Sequence, residues 1–101
     1  NLSNMNWKSK HINLGIIAPE TKHILTYQAL EELDVKDIIV SCGCMNAKYD
    51  EETRKVTLTY VSAGIPVHLR GEGKYDTHKT LTVRYRSETQ DVLSFSATVK
   101  K

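Results

Sequence analysis

The residues in this chain best suited to chemistry are Cys42 and Cys44, held one residue apart in Ser41-Cys42-Gly43-Cys44. Two thiolates can hold one side of a zinc ion, but a closed structural site needs four ligands. The histidines at His11, His23, His68 and His78 are scattered without ligand spacing, and there is no second cysteine pair. A thioredoxin-type redox motif would have two residues between its cysteines and a strand-helix-strand pattern around them, and neither is present. The favoured reading is two small buried apolar side chains, because residues two apart on a strand share a face and the cysteines continue the apolar face of Ile38 and Val40. A Cys42–Cys44 disulfide is the alternative, and it would need an oxidising compartment.

Other constellations fall short of a catalytic or ligand site. Gly71-Glu72-Gly73-Lys74 lacks the spacing of a phosphate-binding loop and is not followed by a helical pattern, so it reads as a turn. Glu31, Glu32, Asp34 and Asp37 form an acidic stretch without the register or central glycine of a calcium loop, which makes it solvated surface. No nucleophile with a base and no paired carboxylates are recognisable, so no enzyme and no cofactor is expected. Lys74, His78, Lys79, Arg84 and Arg86 with Tyr75 and Tyr85 suggest a nucleic-acid surface. Against it, Tyr85 shares the inward face with Leu81 and Val83, and 14 Lys and Arg against 12 Asp and Glu give a net charge of only +2. No nucleic-acid partner is expected.

The elements that would position these residues are strands. Leu81, Val83 and Tyr85 alternate with polar residues, and Leu93, Phe95, Ala97 and Val99 do the same after the polar connector Ser87 to Gln90, which predicts an antiparallel hairpin. Val56, Leu58 and Tyr60 alternate behind the turn Asp50 to Arg54, pairing with Ala47 to Tyr49 as a second hairpin. Ile12, Leu14 and Ile16, stopped by Pro19, and Lys22 to Leu30 are read as a third pair of strands. Gln28 to Lys36 holds good helix formers but is too short for an independent helix, so it is taken as a connection, one helical turn at most, before Ile38-Ile39-Val40 resumes the β pattern. About seven strands with short polar turns make an all-β chain, a sandwich or small barrel.

At 101 residues the chain suits one domain. Folding should bury roughly 60% of the unfolded surface, which allows one core and little room for an enclosed chamber, so function is expected at the surface. No apolar run is long enough to span a membrane, and Asn1 to Lys10 lacks the apolar region of a secretory signal, although a mature chain after signal removal would look the same.

The apolar strand ending in Ser41-Cys42-Gly43-Cys44, preceded by Ile12-Asn13-Leu14-Gly15-Ile16-Ile17 and followed by Lys79-Thr80-Leu81-Thr82-Val83, resembles a bacterial domain family of unknown function that carries an SCGC signature. That family is similar to Hydin-type immunoglobulin-like domains, seven-stranded sandwiches that serve as attachment modules. The resemblance covers roughly residues 11 to 99. Where family members follow the signature with Thr this chain has Met45, and Asp50-Glu51-Glu52 replaces an expected Pro-Gly turn. The implied fold is an immunoglobulin-like β-sandwich of about seven antiparallel strands at 11–101 behind an N-terminal arm at 1–10.

The resulting expectation is a non-enzymatic structural or binding module that docks on a larger protein assembly, with a phage virion, as capsid decoration or minor virion protein, the preferred setting. That setting is fold-level analogy. The partner would be a capsid or other virion protein, with self-association within the assembly and no membrane insertion. The alternatives are an exported bacterial domain in the periplasm or cell envelope, and a metal-binding or redox role for Cys42 and Cys44. Two surfaces are candidates for the partner. Trp7 lies in the polar arm and either folds back on the core or anchors a partner. The excursion Gly64 to Tyr75, with Ile65, Val67, His68, Arg70 and Tyr75, is read as a long loop holding one edge strand.

Overall fold

A computed structural model describes residues 6–101. Among the described residues, seven strands run in chain order: β1 (His11–Ile17), β2 (Lys22–Gln28), β3 (Val35–Val40), β4 (Met45–Asp50), β5 (Lys55–Val61), β6 (Lys74–Tyr85) and β7 (Gln90–Lys100). They form a four-stranded sheet in the order β1-β7-β6-β3 and a three-stranded sheet in the order β2-β5-β4. The expected immunoglobulin-like β-sandwich is therefore the fold.

Both strongly alternating segments form the hairpins read from them. β6 and β7 pair antiparallel from Lys74 opposite Lys100 to Arg84 opposite Gln90, and β4 pairs with β5 from Met45 opposite Tyr60 to Asp50 opposite Lys55. In the turn between β4 and β5, Asp50 Oδ1 accepts the Glu52 amide at 2.9 Å and Arg54 takes the left-handed backbone at φ 59°. An Asx turn thus supplies the reversal that a Pro-Gly pair would otherwise make.

The first two strands depart from expectation. They are not partners: β1 runs parallel to β7, while β2 pairs antiparallel with β5 in the other sheet. The physical reason is that the chain crosses the sandwich at Ala18–Thr21, so each strand completes a different sheet. β1 is also bulged between Asn13 and Ile16, where Gly15 sits at φ 71° and its amide is taken by Asn13 Oδ1 at 2.9 Å. A residue with a Cβ would be strained at that angle. Beyond β2, residues 30–34 are an irregular connection with no helical turn.

Inward residues of the two sheets make one core. Leu25, Tyr27, Val56, Leu58 and Tyr60 face Leu81, Val83, Leu93, Phe95 and Val99, all at most 3% exposed. Tyr60 and Phe95 meet across the sandwich with ring centroids 4.7 Å apart and planes tilted by 56°, a favoured aromatic arrangement. Tyr27 donates its hydroxyl to the Ser94 carbonyl at 2.7 Å, bonding one sheet to the other, and burial pushes its pKa up to about 12. Ser62, 2% exposed, accepts the Thr21 amide at 2.9 Å and donates to the Ala18 carbonyl at 2.7 Å, so one hydroxyl ties the β1–β2 crossing to the end of β5.

Candidate functional site

The candidate residues divide between the two ends of β7. At its start, the described part of the arm, residues 6–10, turns inward. Trp7 pairs with Ala29, with the Lys8 amide bonded to the Gln28 carbonyl and the Leu30 amide to the Asn6 carbonyl. The arm therefore extends the three-stranded sheet before β1 joins the four-stranded one. Trp7 is 2% exposed and belongs to the core; of its two readings, the structure selects the folded-back one, and as a partner anchor it is corrected.

Asp91 organises this end. Its Oδ2 accepts hydrogen bonds from Tyr85 Oη at 2.7 Å, Asn6 Nδ2 at 2.9 Å and Trp7 Nε1 at 3.2 Å, and its Oδ1 pairs with Lys10 Nζ at 2.9 Å. Trp7 Nε1 also reaches Tyr85 Oη at 3.0 Å. Burial by itself would raise the Asp91 pKa, but the bonds from Tyr85, Asn6 and Lys10 outweigh it and hold the carboxyl down at about 2. Tyr85 is pushed well above the ordinary phenol value by burial, and then by its bond to Asp91. A carboxylate committed to that many donors fastens the arm.

At the far end of β7 lies the excursion after β5. It joins neither sheet: in place of the expected edge strand, Val67–Leu69 form a short 3-10 turn behind Pro66. Pro66 has no amide to offer a ladder, and the Pro66 carbonyl instead accepts the Leu69 amide at 2.9 Å. Val67 is 76% exposed, and His68 and Arg70 are also open to solvent. Ile65 and Arg70 meet in an open recess of about 400 Å³ with Glu20, Gly73 and Lys101. Tyr75 is half-buried at the start of β6 and donates to the Ala63 carbonyl at 3.0 Å, which holds the base of the loop. Ile65 and Arg70 thus share a recess, Val67 and His68 stand exposed on the same loop, Tyr75 ties its base, and Trp7 lies at the opposite end of β7.

The cysteines are joined in a disulfide, so the reading of two free buried thiols is corrected. Strand β3 ends at Val40; Cys42 and Cys44 stay half-buried beyond it, Cys44 packed against the core, but bonded to each other instead of free. Residues 41–44 make the turn that crosses from one sheet to the other. In it, Cys42 Sγ accepts the Cys44 amide at 3.0 Å, and the Ser41 amide is bonded to the Thr80 carbonyl.

Two of the charges that suggested nucleic acid, Arg84 and Arg86, are matched within the chain. Arg84 Nε donates to Asp37 at 2.7 Å, Arg86 pairs with Asp34, and Tyr85 is buried. The Arg84 hydrogen bond lowers the Asp37 pKa, and the same bond raises that of Arg84. Half of the acidic stretch is thereby accounted for. Among the described residues, no three His, Cys, Asp or Glu side chains are grouped as metal ligands. Sequence reading missed one pair: His11 and His78 stack with ring centroids 5.7 Å apart, and both His11 ring nitrogens bond to hydroxyls of β7, Ser94 at 2.8 Å and Ser96 at 3.1 Å. The signal was their outward parity on strands that proved to flank β7, which is invisible until the sheet order is known.

No protein-family profile and no curated protein matches the chain. Among solved structures it is similar to protocadherin gamma B7 extracellular cadherin domains 1–4, with a TM-score of 0.52 and 14% identity over 93% of this chain. It is likewise similar to mouse clustered PcdhgC3 EC1-3, with a TM-score of 0.54 and 14% identity over 93% of this chain. It spans 24% and 32% of those two chains. At such identity the likeness is one of fold.

Proposed function

We propose that this domain is a non-enzymatic module that docks on a larger protein assembly. The observation that carries the reading is where its apolar and polar groups are placed. The densest polar network, around Asp91, is engaged in holding the arm, whereas Ile16, Ile24, Ile39, Val61, Val67 and Val92 stand on the outer faces and the loop at 46 to 76% exposure. Apolar side chains presented on a rigid scaffold are contact material for a partner. The fold shared with extracellular cadherin domains supports the same class of role.

The preferred setting is a virion, as a decoration or minor component bound to a capsid protein. A second reading, an exported domain of the periplasm or cell envelope, is favoured by the Cys42–Cys44 disulfide, since such bonds persist in oxidising compartments. Size-exclusion chromatography of the chain with particles and with envelope extract from its source tests both. Co-migration with particles supports the virion, co-migration with envelope proteins supports the second, and elution as a free chain in both would overturn docking. Val67→Glu, which changes only a solvated side chain of the excursion, is expected to weaken the co-migration.

A further inference from the structure

The Cys42–Cys44 disulfide closes a loop that contains only Gly43 between its ends. The stabilisation a disulfide provides falls with the number of residues it encloses, so a bond across so short a loop restricts the unfolded chain least. The turn is also held without it. On the β3 side, the Ser41 amide bonds to the Thr80 carbonyl at 3.2 Å and Ser41 Oγ accepts the Thr80 amide at 3.3 Å. On the β4 side, the Cys44 carbonyl accepts the Val61 amide at 3.0 Å and the Cys42 carbonyl accepts the Met45 amide at 3.2 Å. Backbone bonds to β6, to β5 and across the turn itself therefore fix the crossing between the sheets. A disulfide with so little to hold is free to open without unfolding the chain.

Access and local chemistry point the same way. Both cysteines are half-buried and Gly43 between them is exposed. Among the described residues, nothing beyond its chain neighbours lies within 4 Å of the position a Gly43 Cβ would take, so solvent reaches the turn over Gly43. Cys44 is packed against the core, which leaves Cys42 the freer sulfur to approach. Cys42 Sγ accepts the Cys44 amide at 3.0 Å. An N–H aimed at sulfur stabilises the negative charge of the thiolate that forms when an S–S bond opens. The chain has no third cysteine, so a thiol that exchanges with this bond comes from another molecule.

We propose that Cys42–Cys44 is a thiol–disulfide exchange site that takes two electrons from external thiols, with Cys42 the sulfur that exchanges and Cys44 the sulfur that resolves. An external thiolate attacks Cys42 Sγ in line with the S–S bond. That bond breaks and Cys44 Sγ leaves as a thiolate, giving a mixed disulfide at Cys42. A second thiolate attacks the external sulfur of the mixed disulfide, and Cys42 leaves with its charge held by the Cys44 amide. The two external thiols end as one disulfide, and their two protons pass to Cys42 and Cys44, which end as a dithiol. In the reverse direction the Cys42 thiolate attacks an external disulfide and Cys44 displaces the second half. Because the bonds to Thr80 and Val61 hold the turn in both states, the two sulfurs stay near enough to re-form their bond. This inference rests on the β3–β4 turn and is independent of docking on another assembly.

The test treats the folded full chain with millimolar glutathione near neutral pH, then applies acid quench, alkylation with N-ethylmaleimide and peptide mass mapping. The disulfide is expected to open at a rate proportional to glutathione concentration while circular dichroism shows the fold intact, with the transient glutathione adduct on Cys42 and the alkyl group on Cys44. A parallel arm with reduced thioredoxin distinguishes a protein dithiol from a small thiol as the faster donor, and reaction with either supports the site. With oxidised glutathione, Cys44→Ser is expected to accumulate an adduct at Cys42 roughly tenfold faster than Cys42→Ser does at Cys44. The double variant Cys42→Ser with Cys44→Ser is expected to melt within about 10 °C of the oxidised wild type. A larger loss, reduction that proceeds only after denaturant unfolds the chain, or an adduct found on Cys44 in place of Cys42 would overturn the proposal.

Discussion

The two ends of β7 show how one strand can serve opposite purposes. At Asp91 the chain has gathered Asn6, Trp7, Lys10 and Tyr85 around one carboxylate. At Lys100 and Lys101 it meets a loop held by the bond from Tyr75 Oη to Ala63 and by the Lys101 amide bonded to the Gly73 carbonyl at 3.1 Å. Loop apolar groups such as Val67 face solvent instead of core. The first end is closed and its side chains depend on one another; the second is open and its side chains are nearly independent. The difference teaches that a Trp within a polar arm is the structural element here, and a Val within a glycine-rich loop is the available one.

The closed end depends most heavily on Trp7. Trp7→Ala is expected to destabilise the domain by about 3–5 kcal/mol, as for a large aromatic removed from a core. Chemical denaturation checks this, and an effect under about 1 kcal/mol would mean that the arm is not part of the fold. Asp91→Ala should come next, at roughly 2–3 kcal/mol, because it leaves the Tyr85 and Asn6 donors without their acceptor. Thermal melts with Tyr85→Phe as the milder comparison separate loss of the hub from loss of one bond.

A pH series sharpens the same point. The Asp91 carboxyl is held at about 2 in the folded chain against an ordinary 3.8. Its folded value lies below the unfolded one, so its stabilisation is complete above about pH 4 and is lost as the pH falls toward 2. The melting temperature of the wild type should therefore fall more steeply over that window than that of Asp91→Asn, and parallel curves would remove Asp91 as the hub. The smallest effect belongs to the open end: Val67→Ser should change stability by no more than about 0.5 kcal/mol in denaturant melts.

Much of the sandwich was legible because two hairpins have strictly alternating strands and short turns. Leu81, Val83 and Tyr85 and their partners Leu93, Phe95 and Val99 mark one face residue by residue, and period two leaves them one way to turn. β1 and β2 were legible as strands but not as partners, since each pairs with a strand far along the chain. The Cys42–Cys44 reading failed on bonding and not on burial: both stay half-buried, but the turn after Val40 brings the two sulfurs together in a disulfide, which alternation along a strand does not reveal. The excursion was legible as a loop from its glycines and Pro66, yet its 3-10 turn was not.

By itself, the sequence determined strand identity and the inward face of each long strand, because alternation is a local consequence of β geometry and needs no knowledge of neighbours. It also determined that the chemically suggestive short motifs lack the spacing their chemistry requires. Only the tertiary structure decided sheet order, the parallel β1–β7 pairing, the convergence of Asn6, Trp7, Lys10 and Tyr85 on Asp91, and the stacking of His11 on His78. Each of these depends on contacts between residues remote in the chain, and such contacts are selected by which faces the whole molecule must bury together.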